Sequence, residues 1–209
     1  MIELSDITYR GPEISDPDIL AGLPDDLASL IRDTNGIVAF RGGLHIRGAC
    51  NAPVWHSLRH AWKSEKAFFK SYRDLRPSDI PFAEDCLGDQ FVIREGEVHH
   101  LVAETGELQN LAVGLFGFLT QANSDRVEYL SLQPLLRVEH DGVALKPGEL
   151  LHAYPPFCTV ESASGQVSLR PVPSHEVHAV HAQLATFLRD NPDITKFEMR
   201  VDGPPANST

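Results

Sequence analysis

The sequence predicts an α+β fold in which helices pack on a mixed, mainly antiparallel sheet. Apolar and polar residues alternate over 90–94 and 97–102, and the Glu95-Gly96 pair between them predicts a β-hairpin. A third strand is predicted over 107–110, and the apolar segment 111–119 then predicts a helix that covers the sheet. Consecutive strands followed by a helix are typical of an α+β domain with an antiparallel meander.

A short N-terminal helix is predicted to start at Leu23-Pro24. Acidic residues at 25–26 lie in its first turn, where they interact favourably with the helix dipole. Asn35-Gly36 supplies the left-handed residue that commonly ends a helix. Two short strands are predicted to follow at 37–40 and 44–46.

Residues 54–73 are predicted to form one amphipathic helix, because aromatic and aliphatic side chains recur on one face. Five basic residues spaced alternately by four and three positions would form a basic stripe beside that face. Such a stripe is more often a solvated surface than a binding site, and both interpretations stay open. The basic stripe, a candidate partner-binding set, consists of Arg59, Lys63, Lys66, Lys70 and Arg73.

The segment 80–93 joins two strand-like halves through an acidic turn. Pro81 cannot donate a hydrogen bond, so its strand should lie at a sheet edge or contain the proline among its first residues. Asp85 and Asp89 are expected to cap backbone amides of the turn. Alternatively Glu84, Asp85 and Asp89 form a negative patch that docks on a basic protein surface. All three acids are therefore candidate partner-binding residues.

The segment 80–93, preceded by Asn35-Gly36, resembles the signature of the SUKH superfamily, the Smi/Knr-like domain. The resemblance covers about residues 20–122. It implies an α+β domain that works by binding other proteins. Bacterial members of the family are mainly immunity proteins that neutralise toxins, and eukaryotic members are cell-wall and signalling regulators. Within the segment we expect Phe82 to be a core anchor.

The chain is predicted to have three parts. Residues 1–124 form the SUKH-like α+β domain, residues 125–201 form a C-terminal extension packed on it, and residues 202–209 form a disordered tail. In the extension, 129–138 is compatible with a strand, and prolines break 144–173 into irregular or edge-strand pieces.

The end of the extension is predicted to contain one more helix and one more strand. Ser174 is expected to cap the helix, which Asn191-Pro192 closes. The final strand is predicted over 194–201.

The composition favours a cytoplasmic protein with a protein partner. A net charge of −11 disfavours nucleic acid and anionic membranes as partners. Residues 41–76 nevertheless carry eight basic side chains against two acidic ones. The absence of a long apolar run, of a leader-like N-terminus and of a paired cysteine pattern favours a reducing cytosol. The oligomeric state stays open.

No metal site or cofactor is expected from the histidines. His175, His178 and His181 follow each other at three-residue intervals, and the outer two diverge by about 240° around a helix. His99 and His100 point to opposite faces of a strand.

No catalytic residue is expected either. Neither Cys86 nor Cys158 has a neighbour in sequence that would activate a thiolate. The leading hypothesis is a non-catalytic immunity protein that binds a cognate bacterial toxin stoichiometrically. The alternatives are a regulatory scaffold that docks a cellular enzyme and, third, a metal-dependent or Cys/His enzyme that uses residues 152–181.

Overall fold

A seven-stranded antiparallel sheet forms the centre of the computed structural model, which describes residues 4–164 and 167–193. Neighbouring strands in the sheet are also neighbours in sequence, so the sheet is a simple meander. The prediction of an α+β fold is confirmed. The strands are β1 (Tyr9–Arg10), β2 (Ile37–Ala39), β3 (Leu44–Ile46), β4 (Ile80–Asp85), β5 (Gln90–Arg94), β6 (Glu97–Val102) and β7 (Glu107–Asn110).

Six α-helices, several short 3-10 helices and a separate two-stranded sheet complete the described part of the chain. The helices are α1 (Asp25–Thr34), α2 (Leu58–Lys63), α3 (Leu115–Ser124), α4 (Arg126–Tyr129), α5 (Gln133–His140) and α6 (Ser174–Asp190). The second sheet pairs β8 (Glu149–Tyr154) with β9 (Ser168–Pro173).

Local turn chemistry explains the parts of the fold that the sequence predicted well. Glu95 and Gly96 both have positive φ angles, 54° and 87°, as the tight turn between β5 and β6 requires. Helix α1 ends at Asn35, which has the left-handed φ of 44°. The Asn35 side chain is also engaged, because Nδ2 donates to Pro12 O and Oδ1 accepts from Ala49 N.

Pro81 is the second residue of β4, an interior strand between β3 and β5. The register shifts between Pro81 and Ala83, so the ladder accommodates the proline at a bulge. Phe82 is fully buried, and its ring packs edge to face on Phe118 of α3, with 5.6 Å between the centroids. Helix α3 begins at Leu115, whereas the sequence predicts a start at Leu111.

Residues 54–73 do not form one helix, so that prediction is wrong. They form a 3-10 turn (Val54–His56), the short helix α2 and a second 3-10 turn (Phe68–Lys70). Ser57 Oγ accepts a hydrogen bond from His60 N at the start of α2. At its end Ser64 is extended, and its Oγ donates to His60 O. Ser57 thus caps the start of the helix, and the bond from Ser64 to the carbonyl four residues earlier marks its end, so α2 has only six residues.

The interpretation of 129–138 as a strand is also wrong. This region contains the end of α4 and most of α5. Pro134 lies in the first turn of α5, where a missing N–H costs nothing. The proline-rich region 144–173 supplies both strands of the second sheet, and Pro171 and Pro173 take part in its ladder.

The C-terminal elements contact the turn between β4 and β5. Leu151 N of β8 donates to Cys86 O at 2.8 Å, and the Leu151 side chain belongs to the main apolar core. Gly88 has a φ of 89°, and a Cβ there would lie 3.1 Å from Leu150. Helix α6 ends at Asp190 with Asn191 as its C-cap, as predicted, but the prediction that Ser174 caps its start is wrong, because Pro173 is the N-cap and no side chain makes a capping hydrogen bond there. The predicted strand 194–201 and tail 202–209 lie outside the described residues.

Within 4–164 and 167–193, no helix combines the length and the apolar character needed to cross a membrane. All three cysteines are free.

Candidate functional site

Glu84, in β4, is the centre of a buried polar network. Its side chain is 2% exposed and accepts hydrogen bonds from four other side chains. Arg47 and His178 donate to Oε2 at 2.8 and 2.7 Å, and Gln90 donates to the same oxygen at 3.0 Å. His45 Nδ1 lies 2.8 Å from Oε1. Four chain segments therefore meet at one carboxylate.

Arg47 provides the positive charge of this network. Its guanidinium is 2% exposed and donates to Glu84, to Gln90 Oε1 and to Pro81 O, all at 2.8 Å. Burial alone would raise the pKa of Glu84, but Arg47 and the neighbouring histidines hold it well below its ordinary value. Glu84 and Arg47 are therefore a charged pair in the interior, compensated by hydrogen bonds.

A row of contacts connects Glu84 with the turn that ends α1. His56 Nε2 lies 2.8 Å from Asn35 O, and His56 Nδ1 lies 2.9 Å from His45 Nε2. His45 Nδ1 then reaches Glu84. The two imidazole rings are stacked, with centroids 5.1 Å apart. The row thus begins at the carbonyl oxygen of Asn35 and ends at the carboxylate oxygen Oε1 of Glu84.

This row is one proton short when both rings are neutral. Its three contacts need three protons between two terminal acceptors, whereas two neutral imidazoles carry only two. Burial, followed by the proximity of His45, lowers the pKa of His56 to about 3. Burial also lowers the pKa of His45. Both rings are therefore neutral at pH 7.

Acidification should destabilise the fold through His56. The folded state binds the proton less tightly than the unfolded chain, in which the pKa is near 6.5. The stabilisation is therefore complete above pH 6.5 and is lost progressively as the pH falls toward about 3. The expected loss is about 2 kcal/mol between pH 6.5 and about 5.

Urea unfolding of the wild type and of His56→Gln at several pH values isolates this contribution, because glutamine does not titrate. The variant should lose less stability per pH unit than the wild type. His140→Gln, at an exposed histidine, should keep the wild-type slope. Equal slopes for wild type and His56→Gln would contradict the prediction.

A second polar cluster lies directly beyond Glu84, in the turn between β4 and β5. Asp85 Oδ1 accepts from Leu87 N and Asp89 N, at 2.8 and 3.0 Å. Asp89 Oδ1 accepts from Ala103 N at 2.8 Å, and Asp89 Oδ2 lies 3.3 Å from His100 Nε2. The predicted capping of turn amides is confirmed for Asp85, whereas the Asp89 side chain accepts from Ala103 N, an amide outside the turn.

A cavity of about 600 Å³ opens beside this second cluster. Sheet residues, the α4–α5 junction, β8 and α6 contribute to its wall. Leu87, Val102, Leu151, Ala153 and Phe157 are among its apolar lining residues. Its charged and amide side chains are Asp89, His100, Glu104, Gln109, Gln133 and His181.

Burial dominates the electrostatics of this cluster. Burial and then the charge of Asp89 raise the pKa of Asp85 well above its ordinary value. Burial lowers the pKa of His181 to about 4, so its ring is neutral at pH 7. Burial opposes protonation of His100 as well, but Asp89 outweighs it and raises the pKa of that ring.

The three predicted acidic residues do not form a surface patch. Glu84 and Asp85 are only 1% and 3% exposed, so the interpretation of these two as docking residues is wrong. Their carboxylates serve backbone amides and buried side chains instead. Asp89 is partly exposed and lines the cavity.

The basic stripe is divided by the break in its helix. Arg59 pairs with Asp16, at 2.5 and 2.7 Å, and Lys70 pairs with Glu65 at 2.8 Å. The charges of these two basic residues are therefore matched within the chain.

The other three members of the stripe are exposed. Lys63 Nζ lies 3.5 Å from the centroid of the Trp62 ring. Lys66 and Arg73 have no ion pair within the described part of the chain. These three residues remain available to a partner.

The sequence analysis missed Arg47, His45, His56 and Gln90 as members of a site. One signal was present: His45 and Arg47 alternate with apolar residues on a short strand, which is unusual for a strand buried on both faces. The remaining partners come from distant segments, and no local pattern links them.

The residues of the 152–181 enzyme alternative lie in different surroundings. His178 reaches Glu84, His175 is exposed, and Cys158 N donates to Glu104 Oε2. Burial and Glu104 raise the pKa of Cys158 to about 12, so this thiol is protonated at pH 7.

The fold and the site define an α+β protein with an antiparallel meander and a charge-compensated network at its centre. No protein-family model matches the chain, and neither a curated protein nor a solved structure matches it.

Proposed function

We propose that this chain is a SUKH-type protein-binding domain that acts as an immunity protein and neutralises a cognate bacterial toxin by stoichiometric binding. One observation carries the proposal. The two segments that resemble the family, Asn35-Gly36 and 80–93, are joined by the row of contacts through His56 and His45 to Glu84. Segments about 45 residues apart thus act as one structural unit, as expected if both belong to one domain signature.

The order of elements agrees with this proposal. Strands β4 to β7 follow one another in an antiparallel meander, and α3 packs on them through Phe118. This is the arrangement that the family resemblance implies for residues 80–122. It supports a domain whose function depends on its surface.

The three members of the basic stripe without an ion pair among the described residues form the surface that we assign to the partner. Lys63, Lys66 and Arg73 are exposed near one another in sequence, in a chain whose net charge is −11. A basic patch on an acidic protein favours an acidic protein surface, while the overall negative charge disfavours nucleic acids. Partner discrimination by charge fits a cognate toxin.

The proposal is tested in two steps. The tagged chain is used to capture its partner from native cells, and the bound protein is identified by mass spectrometry. The captured protein is then expressed in a susceptible host with and without this chain. Growth arrest that this chain relieves, together with a one-to-one complex in calorimetry, supports the proposal. A non-toxic cellular enzyme as the captured partner would replace it with the regulatory scaffold.

Charge reversal at Lys66 should weaken this complex. Lys66→Glu places a repulsive charge in the assigned surface, and we expect the Kd for the captured toxin to rise about tenfold. The melting temperature should not change, because Lys66 is exposed and has no ion pair among the described residues. Lys146→Glu makes the same change at an exposed site before β8 and should leave the Kd unchanged. Equal effects of the two variants would remove the basic stripe from the interface.

A further inference from the structure

The second polar cluster has the composition of a metal site. Asp85, Asp89 and His100 each present one ligand atom, and these atoms lie within 4.8 Å of one another. Asp89 Oδ2 and His100 Nε2 are 3.3 Å apart, close to the separation of about 3.4 Å between two ligands of a tetrahedral zinc ion. Contraction of the remaining separations from at most 4.8 Å to about 3.4 Å would let the three ligand atoms surround an ion.

The backbone bonds of the two aspartates leave ligand capacity available. The two backbone N–H groups that bind Asp85 both donate to its Oδ1, and the backbone N–H group that binds Asp89 also donates to Oδ1. None of these three bonds uses Oδ2. These bonds fix the position of each carboxylate, as outer hydrogen bonds do around metal ligands. The turn thus holds two carboxyl groups beside each other, Asp85 buried and Asp89 on the cavity wall, where a cation would offset their mutual repulsion.

An unpartnered imidazole nitrogen supplies an independent indication. His181 Nδ1 is buried and has no hydrogen-bond partner in the described part of the chain, whereas His100 Nε2, also buried, has the 3.3 Å ion-pair contact with Asp89. His181 is only 5% exposed and lines the same cavity as Asp89 and His100. A buried ring nitrogen without a partner is costly, and metal coordination would satisfy it.

We propose that Asp85, Asp89 and His100 bind a divalent transition-metal ion of the zinc class, with His181 as the fourth ligand. Two imidazole nitrogens and two carboxylate oxygens are a ligand set that suits zinc in four-coordinate geometry. The ion enters through the cavity and joins the β4–β5 turn, strand β6 and helix α6. It offsets the repulsion between the two carboxylates and occupies the unpartnered nitrogen of His181.

The test uses the full chain, purified without a polyhistidine tag, treated with chelator and titrated with Zn²⁺ in a calorimeter. We expect one ion per chain, with a Kd of about 1 μM or tighter. Titration with Co²⁺ should give the visible absorption bands of a four-coordinate site, and Zn²⁺ should displace the cobalt. No binding at about 100 μM metal, or cobalt bands typical of six-coordinate hydrated ions, would overturn the proposal.

Two ligand variants and two matched controls identify the site. Asp89→Asn keeps an acceptor for Ala103 N, and His181→Gln changes only a ring that has an unpartnered nitrogen. Each should raise the Kd at least about tenfold. His99→Gln on β6 and His175→Gln on α6 should leave it unchanged. Circular dichroism and melting of each metal-free variant establish that it folds. Binding lost in the controls and kept in the ligand variants would place the ion elsewhere.

Discussion

Glu84→Gln should lower the free energy of unfolding by about 3–5 kcal/mol. The substitution keeps the size of the side chain but removes the negative charge that compensates the buried guanidinium of Arg47. Arg47 is 2% exposed, so water cannot replace the lost partner. His178 would also lose its hydrogen bond to a charged oxygen and would contact a neutral amide instead. Urea unfolding monitored by circular dichroism measures the loss.

Two further variants make this prediction specific. Arg47→Met combined with Glu84→Gln removes both charges, and the double variant should be more stable than Glu84→Gln alone. Glu95→Gln breaks the exposed pair with Arg76 and should cost less than about 0.5 kcal/mol. If Glu84→Gln cost no more than Glu95→Gln, the charged pair in the interior would contribute no stability.

Phe82→Ala should also cost about 3–5 kcal/mol, through loss of packing and not of charge. Phe82 is fully buried between the sheet and α3, where its ring contacts Phe118 edge to face. Alanine would leave a cavity that the bulged strand β4 cannot close without moving Arg47, whose guanidinium donates to Pro81 O. Differential scanning calorimetry should show a lower melting temperature and a smaller unfolding enthalpy.

The matched control for Phe82 is Phe116→Ala on α3. Phe116 is 69% exposed, so its truncation should change stability by less than about 0.5 kcal/mol. A small effect at Phe82 would mean that the sheet and α3 repack around the missing ring.

Elements that local chemistry decides were predictable from the sequence. The β5–β6 hairpin follows from Glu95-Gly96 and from the alternation on both sides of it, and the end of α1 follows from Asn35. The break of the predicted 54–73 helix depends on hydrogen bonds that Ser57 and Ser64 make to the helix ends. Serine permits such bonds without requiring them, so periodicity alone could not indicate them.

Only the part of the site that lies in the turn between β4 and β5 was predictable from the sequence. Asp85 caps the amides of Leu87 and Asp89 in the turn between β4 and β5, and the sequence contains that turn in full. The pairing of Arg47 with Glu84 joins positions 37 residues apart, and His178 is 94 residues from Glu84. Burial of an acidic residue depends on whether such distant partners arrive, which no short segment reveals.

The contact between His178 and Glu84 has a consequence for how the chain folds during synthesis. Glu84, Arg47 and His45 leave the ribosome long before α6, which carries His178, a residue 94 positions after Glu84. Until α6 docks, the carboxylate lacks one of its four donors and this side of the network is open to water. Helix α6 therefore completes the centre of the domain after the residues of the seven-stranded sheet have been made, and a nascent chain stalled before residue 174 presents that centre to chaperones and proteases.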